Sequence, residues 1–229
     1  MSYRDDFCRL GGCNLNYTKT IRSYCQNNEG TIIDVAQIAE DYFAMVPYKT
    51  LLKIFNRLRD EGILQPISKG VYLIKSENEI SPDDAIIKWY ASDNRGMIVG
   101  HELFKMMGLE KDFKGPVEIY TRMVAPKSQK VIGKYLLTGV NLFFEERIKK
   151  NISLLEIIEK GHTIKNRDLA ELSRSIVELL PYYSNYTFEV IVREIDYSYS
   201  TASSLSNYLR ATGLKDNSCL ELYKKNTSQ

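Results

Sequence analysis

Apolar positions in the first third of the chain fall into three helical stripes followed by two short runs. In residues 17–27 (YTKTIRSYCQN), Ile21, Tyr24 and Cys25 share one side at helical spacing, and Asn28 to Gly30 end the segment. After Thr31 to Ile33, Asp34 is placed as an N-cap with Gln37 three residues on, the order of a capping box. Val35, Ile38, Ala39 and Tyr42 then follow the i, i+3, i+4, i+7 rule of a half-buried second helix. Pro47 restricts Val46 and suits the first turn of a third helix, so the preceding FAMV reads as a turn. That third helix is expected to run to about Glu61. Its Leu51, Ile54, Phe55 and Leu58 fall on one face, and Lys49, Lys53, Asn56 and Arg57 on the other. Gly62 is the stop, Ile63 to Ile67 and Val71 to Ile74 read as strands, and Ser68-Lys69-Gly70 as the tight turn between them. Helix, helix, turn, helix, hairpin is the order of a winged helix-turn-helix.

From residue 76 the texture changes. The acidic SENEISPDD holds a helix start with Ser81 as N-cap, Pro82 next, and Asp83 and Asp84 in the first turn, which puts a junction near 76 to 80. The expected division is a winged helix-turn-helix over 1–76 and a mixed α/β C-terminal domain over 77–229. The latter is strand-containing to about 160 and helical afterwards, for an α+β fold overall. Its pattern gives a DNRG turn, a strand MIVG, a helix HELFKMM stopped by Gly108, and three strand-like runs, VEIYT, KVIGKYLL and VNLFF. ISLLEIIEKG, DLAELSRSIVELL, FEVIVREI and STASSLSNYLRATG read as later helices, two of them stopped by Gly161 and Gly213.

Charge adds a location to this outline. The chain has 229 residues, 44% of them apolar, and a net charge of only +2, so any affinity for nucleic acid must come from local clusters. Met45 to Lys75 holds Lys49, Lys53, Arg57, Arg59, Lys69 and Lys75 against Asp60 and Glu61, a net of 6 − 2 = +4, whereas the first 44 residues are net acidic. A major groove about 12 Å wide admits one helix, and a hairpin beside it can lay a basic tip along the backbone. Tyr48, Lys49, Lys53, Asn56, Arg57 and Lys69 are therefore the expected DNA-facing side chains, with Arg59 nearer the packed side. Lys111 to Lys134 is a second cluster, Lys111, Lys114, Arg122, Lys127, Lys130 and Lys134 against Asp112 and Glu118, again 6 − 2 = +4. It reads either as a solvated sheet edge or as a surface for nucleic acid or an acidic partner. Tyr182, Tyr183, Tyr186, Tyr197 and Tyr199 crowd the C-terminal third and are expected in the core or at a groove rim.

Other chemistry is thinly represented. Cys8, Cys13, Cys25 and Cys219 are widely spaced and neither His101 nor His162 lies near one, so zinc-ligand spacing is missing and free thiols are expected. His101-Glu102 lacks a second histidine four residues from the first, and no Gly-rich phosphate loop or nucleophile elbow occurs. Asp83 and Asp84 are adjacent and point apart on a helix, which suits capping better than metal binding. No enzyme activity, metal or cofactor is expected. The start MSYRDDF lacks the regions of a signal peptide, and no apolar run approaches the roughly 18 residues of a membrane span, so a cytoplasmic protein is expected.

The run FNRLRDEGILQPISKGVYLI, then GMIVGHELFKMMGL, VEIYT and a hairpin ending in VNLFF, resembles the AbiEi antitoxins of type IV (AbiE, abortive-infection) toxin-antitoxin systems of phage defence over about residues 17 to 195. The resemblance implies an N-terminal winged helix that represses its own operon at promoter inverted repeats. It also implies a C-terminal domain that counters a nucleotidyltransferase-like toxin without requiring a stable complex. By position, Arg57 matches a DNA contact, Gly70 a turn former and Tyr72 a packing residue, beside Lys69. The chain departs from the pattern at Gln65 and Pro66, where many relatives are basic, which weakens phosphate contacts from the first wing strand. With no long heptad seam, a monomer that pairs cooperatively only on adjacent DNA repeats is expected. A winged-helix regulator with a ligand-sensing C-terminal domain, or a winged-helix protein-interaction module, are the alternatives.

Overall fold

The computed structural model describes residues 17–213 and 218–227, an α+β chain with ten α-helices and two small sheets among those residues. Cys8 and Cys13 lie outside the described residues. Two compact units divide between Ala85 and Ile86.

In the first unit, α1 (Tyr17–Asn27), α2 (Val35–Asp41) and α3 (Tyr48–Asp60) surround a core of Ile21, Cys25, Val35, Ile38, Leu51, Ile54, Phe55 and Leu58. The α3 stripe is the one its periodicity predicts, because four apolar residues at helical spacing can be hidden on one side only. Asp34 caps α2, its Oδ1 accepting from the Ala36 N–H at 3.2 Å. The reciprocal half of a capping box does not form, and Gln37 Oε1 is left buried without a hydrogen-bond partner. Tyr42 also departs from its expected packed position: α2 ends at Asp41, and the ring is 62% exposed against Tyr24.

Ile32–Asp34, read from sequence only as the approach to a helix, is a strand, β1. It joins β2 (Leu64–Ser68) and β3 (Val71–Ile74) in an antiparallel sheet of order β1-β3-β2. A two-residue turn, Lys69-Gly70, connects β2 to β3, and Gly62 (φ +78°) and Gly70 (φ +75°) supply the left-handed backbone at the two reversals. Pro66 is tolerated because β2 is an edge strand, and the register shifts between Pro66 and Ser68, leaving Ile67 as a bulge. Phe55 of α3 stacks on Tyr72 of β3 with ring centroids 6.1 Å apart, which fixes the hairpin against the helix.

The second unit is built on a sheet of order β4-β5-β7-β6, from β4 (Gly96–Val99), β5 (Val117–Thr121), β6 (Gln129–Ile132) and β7 (Tyr135–Gly139). The β5–β7 pair is parallel and the other two are antiparallel. Before it, α4 (Pro82–Tyr90) starts as expected, with Ser81 Oγ accepting from the Asp84 N–H at 3.1 Å. The run KVIGKYLL is split at Gly133-Lys134 into the β6–β7 hairpin.

VNLFF is not a strand. Val140, Leu142 and Phe144 are buried and Asn141 and Phe143 exposed, a period of two, but the segment has no ladder neighbour. Its amides bond to scattered acceptors instead: Val140 to the Thr121 carbonyl, Asn141 to Glu194 Oε2 and Phe144 to the Asn94 carbonyl. Alternation reports which face is buried, and extended chain can satisfy it without a sheet.

Between β4 and β5 lies α5 (Gly100–Met106), and after the sheet come α6 (Glu146–Lys160), α7 (Leu169–Leu179), α8 (Asn185–Glu194), α9 (Tyr199–Ala211) and α10 (Cys219–Thr227). No sequence pattern pointed to α10. The centre is α6, buried from Asn151 to Ile157 on every side, as befits a helix enclosed by others. Gly161 does not stop α6 by a left-handed turn: its φ is −57° and the chain continues into a 3-10 turn, whereas Gly213 (φ +71°) ends α9 as expected. Cys25 and Cys219 are buried thiols in no disulfide, and burial pushes that of Cys25 up to about 11. No helix among the described residues is long and apolar enough to cross a membrane.

Candidate nucleic-acid interface

One face of α3 gathers the sequence-predicted residues. Tyr48, Lys49, Lys53, Asn56 and Arg57 are all exposed, while the opposite stripe is sealed into the core. Lys49 and Arg57 are eight residues apart, about 12 Å along the axis, so their ammonium and guanidinium groups can reach across a groove of comparable width. Lys69 is exposed at the tip of the hairpin that the Phe55–Tyr72 stack holds on α3, and beside it the Gly70 carbonyl accepts from the Val35 N–H at the start of α2. From Tyr42 to Arg59 the chain carries four cations and no Asp or Glu.

The far end of α3 is different. Arg59 is exposed rather than packed, and its guanidinium bonds Asp60 Oδ1 at 2.8 and 3.0 Å and Asn56 Oδ1 at 3.1 Å. Glu61 pairs with Arg22 of α1. At about 100° per residue Arg59 lies on the flank of the buried stripe, where a long side chain reaches solvent and finds the adjacent carboxylate. The helix therefore presents unpaired lysines at its N-terminal half and neutralised pairs at its C-terminal end. Asn56 has its carbonyl oxygen engaged by Arg59, which leaves the amide nitrogen as its outward donor.

Sequence reasoning placed the turn that leads into α3 but not the exposure of Met45 and Tyr42 around it. Met45 is 82% exposed, Tyr42 62% and Tyr48 50%, three large apolar side chains within seven residues. Pro47 marks the turn, but periodicity speaks only of helices and strands and assigns no face to the residues between them.

The second basic cluster is dispersed by the sheet. Because β5 and β7 run parallel, Lys114 and Lys134 precede their first residues, and the Val117 N–H donates to the Lys134 carbonyl at 2.9 Å. Arg122 and Lys127 sit at the other end, where the Lys127 N–H donates to the Gly139 carbonyl. Five strand residues separate the two groups, about 16 Å. Lys130 is half-buried mid-strand opposite Leu137, and Lys111 is exposed in the loop after α5. Arg122 lies over the Phe143 ring and Lys134 over Tyr135, at 5.7 and 5.4 Å. Of the five tyrosines between 182 and 199, Tyr183 and Tyr197 are buried and Tyr182, Tyr186 and Tyr199 exposed.

Within the second unit the concentrated polar chemistry is a buried carboxylate that no motif announced. Glu156 of α6 has no exposed surface, and its Oε2 accepts from the Gly100 N–H at 3.1 Å and pairs with Lys160 Nζ at 3.1 Å. Its Oε1 accepts from Tyr197 at 3.1 Å and Tyr120 at 3.4 Å. Lys160 also meets Glu118 Oε2 at 2.9 Å. Burial alone lowers the Lys160 ammonium, but Glu156 and Glu118 outweigh it and hold it above its ordinary value. Burial and then the Glu156 charge push the Tyr197 and Tyr120 hydroxyls well up, so both stay protonated donors. Gly100 is required here: its φ is +64° and an added Cβ would lie 3.0 Å from Glu118 Oε1. Beside it, Glu159 accepts from the Ser198 N–H and hydroxyl and from Thr201; burial raises its carboxyl, and these donors more than offset that to leave it lowered. All of these groups are partnered, which makes the network a scaffold for the α5–α6–α9 junction. A cavity of about 230 Å³ opens nearby between α6, α7 and α9, with an apolar floor of Ile157, Leu172 and Ile176 and Arg167 in its lining.

No family model and no curated protein matches the chain. Among solved structures it is similar to the RV2827C protein from Mycobacterium tuberculosis, with 14% identity over 91% of this chain and 81% of that one and a TM-score of 0.41, a likeness that carries no argument about fold or function.

Proposed function

We propose that the first unit is a winged helix-turn-helix that binds double-stranded DNA, with α3 in the major groove and the β2–β3 hairpin as the wing. The observation that carries this reading is the exposed, acid-free row of Lys49, Lys53 and Arg57 on α3, with Lys69 a further exposed cation at the hairpin tip. Phosphate contacts by these side chains supply affinity, and the elements that hold them are rigid because α3 and β3 share one core. On the strength of the family resemblance, the chain is an antitoxin of a type IV system that represses its own operon at promoter inverted repeats. Its second unit counters a nucleotidyltransferase-like toxin in the cytoplasm without catalysis.

Gel retardation of DNA from upstream of its own gene tests the first part. Retardation at physiological salt, lost on a scrambled duplex, is expected, with a slope of log affinity against log salt of about −4 to −5 for four to six phosphates. Equal binding to the scrambled duplex removes the sequence-specific part. Rescue of growth when the chain is co-expressed with a neighbouring nucleotidyltransferase-like protein tests the second. The 230 Å³ cavity favours one other reading, a DNA-binding regulator whose second unit senses a small molecule. A gene neighbourhood without such a toxin supports that alternative.

A further inference from the structure

Phosphate binding leaves the most exposed apolar side chains of the first unit without a role. Met45 stands in the turn before α3 and Tyr48 is the first residue of the helix, next in sequence to Lys49, and both are exposed. Tyr42 is propped against Tyr24, ring centroids 5.3 Å apart. Resting on the DNA-binding reading, we propose that Met45 and Tyr48 read thymine in the major groove by packing on its 5-methyl group.

Three observations lead there. The first is charge: Met45 and Tyr48 lie inside the acid-free stretch from Tyr42 to Arg59, with the acids Glu40 and Asp41 left behind at the end of α2. The second is direction. Asp60 and Glu61 occupy the C-terminal end of α3 in ion pairs, so the helix meets a phosphate-lined groove with its N-terminal turn, the end whose dipole also favours negative charge. The third is what remains to read a base. Adenine recognition by asparagine uses both amide atoms, and Asn56 Oδ1 is held by Arg59. Beside Lys49 and Thr50, the entering turn offers a thioether and a phenol, and the apolar feature that a base pair presents to them in the major groove is the thymine methyl. Unlike phosphate contacts, this one carries sequence information.

Replacing thymine by deoxyuridine removes that methyl and nothing else. Duplexes from upstream of the chain's own gene, substituted one thymine at a time, are titrated with the full-length protein and with a Met45→Ala/Tyr48→Ala variant. At one or two positions per half-site the wild type is expected to bind about fourfold more weakly per methyl lost, the worth of one buried methyl-sized group. The double variant is expected to ignore the same substitutions while keeping its salt slope. Unchanged affinity for every deoxyuridine duplex overturns the thymine reading and leaves DNA binding standing. Failure to bind any duplex at low salt overturns both. Sedimentation of the wild type as a dimer that the double variant abolishes, with no deoxyuridine effect, gives the patch to a second copy of the chain and also overturns the proposal.

Discussion

The two basic clusters have the same composition, six cations against two acids, and the fold treats them in opposite ways. Around α3 a helix advances only about 1.5 Å per residue and returns to the same face every three or four, so Lys49, Lys53 and Arg57 become one surface. Between Lys111 and Lys134 the chain runs out along β5 and back through β6, and strands advance about 3.3 Å per residue. The same charge count is thus spread over the two ends and the outer edge of a sheet. Density of charge in sequence becomes density in space only where the local structure is compact.

That contrast can be broken in several places. The largest expected effect is on the second unit alone. Glu156→Ala leaves Lys160 and three other donors facing a void, and a cost of about 3–5 kcal/mol is expected in urea unfolding. DNA affinity of the folded fraction should be unchanged. Next, Lys49→Ala/Lys53→Ala/Arg57→Ala is expected to lower DNA affinity roughly 100-fold and to flatten the salt slope by about 2.7, at about 0.9 per phosphate contact. If the matching triple at Lys111, Lys114 and Lys134 does the same, the reading of a dispersed second cluster is wrong; a change below about threefold is expected.

Smaller effects separate two glycines of similar backbone. At Gly70 an added Cβ meets nothing within 4 Å, so Gly70→Ala should cost only the left-handed strain, about 1–2 kcal/mol. Gly100→Ala adds a tight contact with the Glu118 carboxylate, which Lys160 holds in place, and should cost more in the same denaturation assay. Smallest is the pH response of the second unit. Lys160 is held above its ordinary value, so its contribution is complete below pH 10.5 and fades as pH rises through the elevated value. Glu159 is held below 4.5, so its contribution is present above that pH and is lost as pH falls further. Thermal melts of Lys160→Met and Glu159→Gln should each flatten one limb of the stability profile and leave the other.

Legibility in the sequence followed the range of the interactions. The α3 stripe, the Gly62 and Gly70 reversals and the Ser81 cap are decided within a few residues, and the sequence alone placed them. VNLFF misled because its alternation is real while its partner is missing, and ladder pairing depends on a segment far away in the chain. The Glu156 network lies beyond any local pattern, since its partners stand 36 to 56 residues away, apart from Lys160 one turn on. At the candidate interface the cations and Tyr48 were readable and Met45 was not, for a methionine in a turn carries no period to betray its exposure.

Pro66 has a meaning for assembly as well as for local geometry. An edge strand is an invitation to another chain, and β2 withdraws it: one amide hydrogen is missing at Pro66 and the adjacent bulge throws the next residue out of step. Two copies brought side by side, as the proposed binding to neighbouring repeats requires, therefore find no continuous template along their β2 edges and do not seed a growing sheet there.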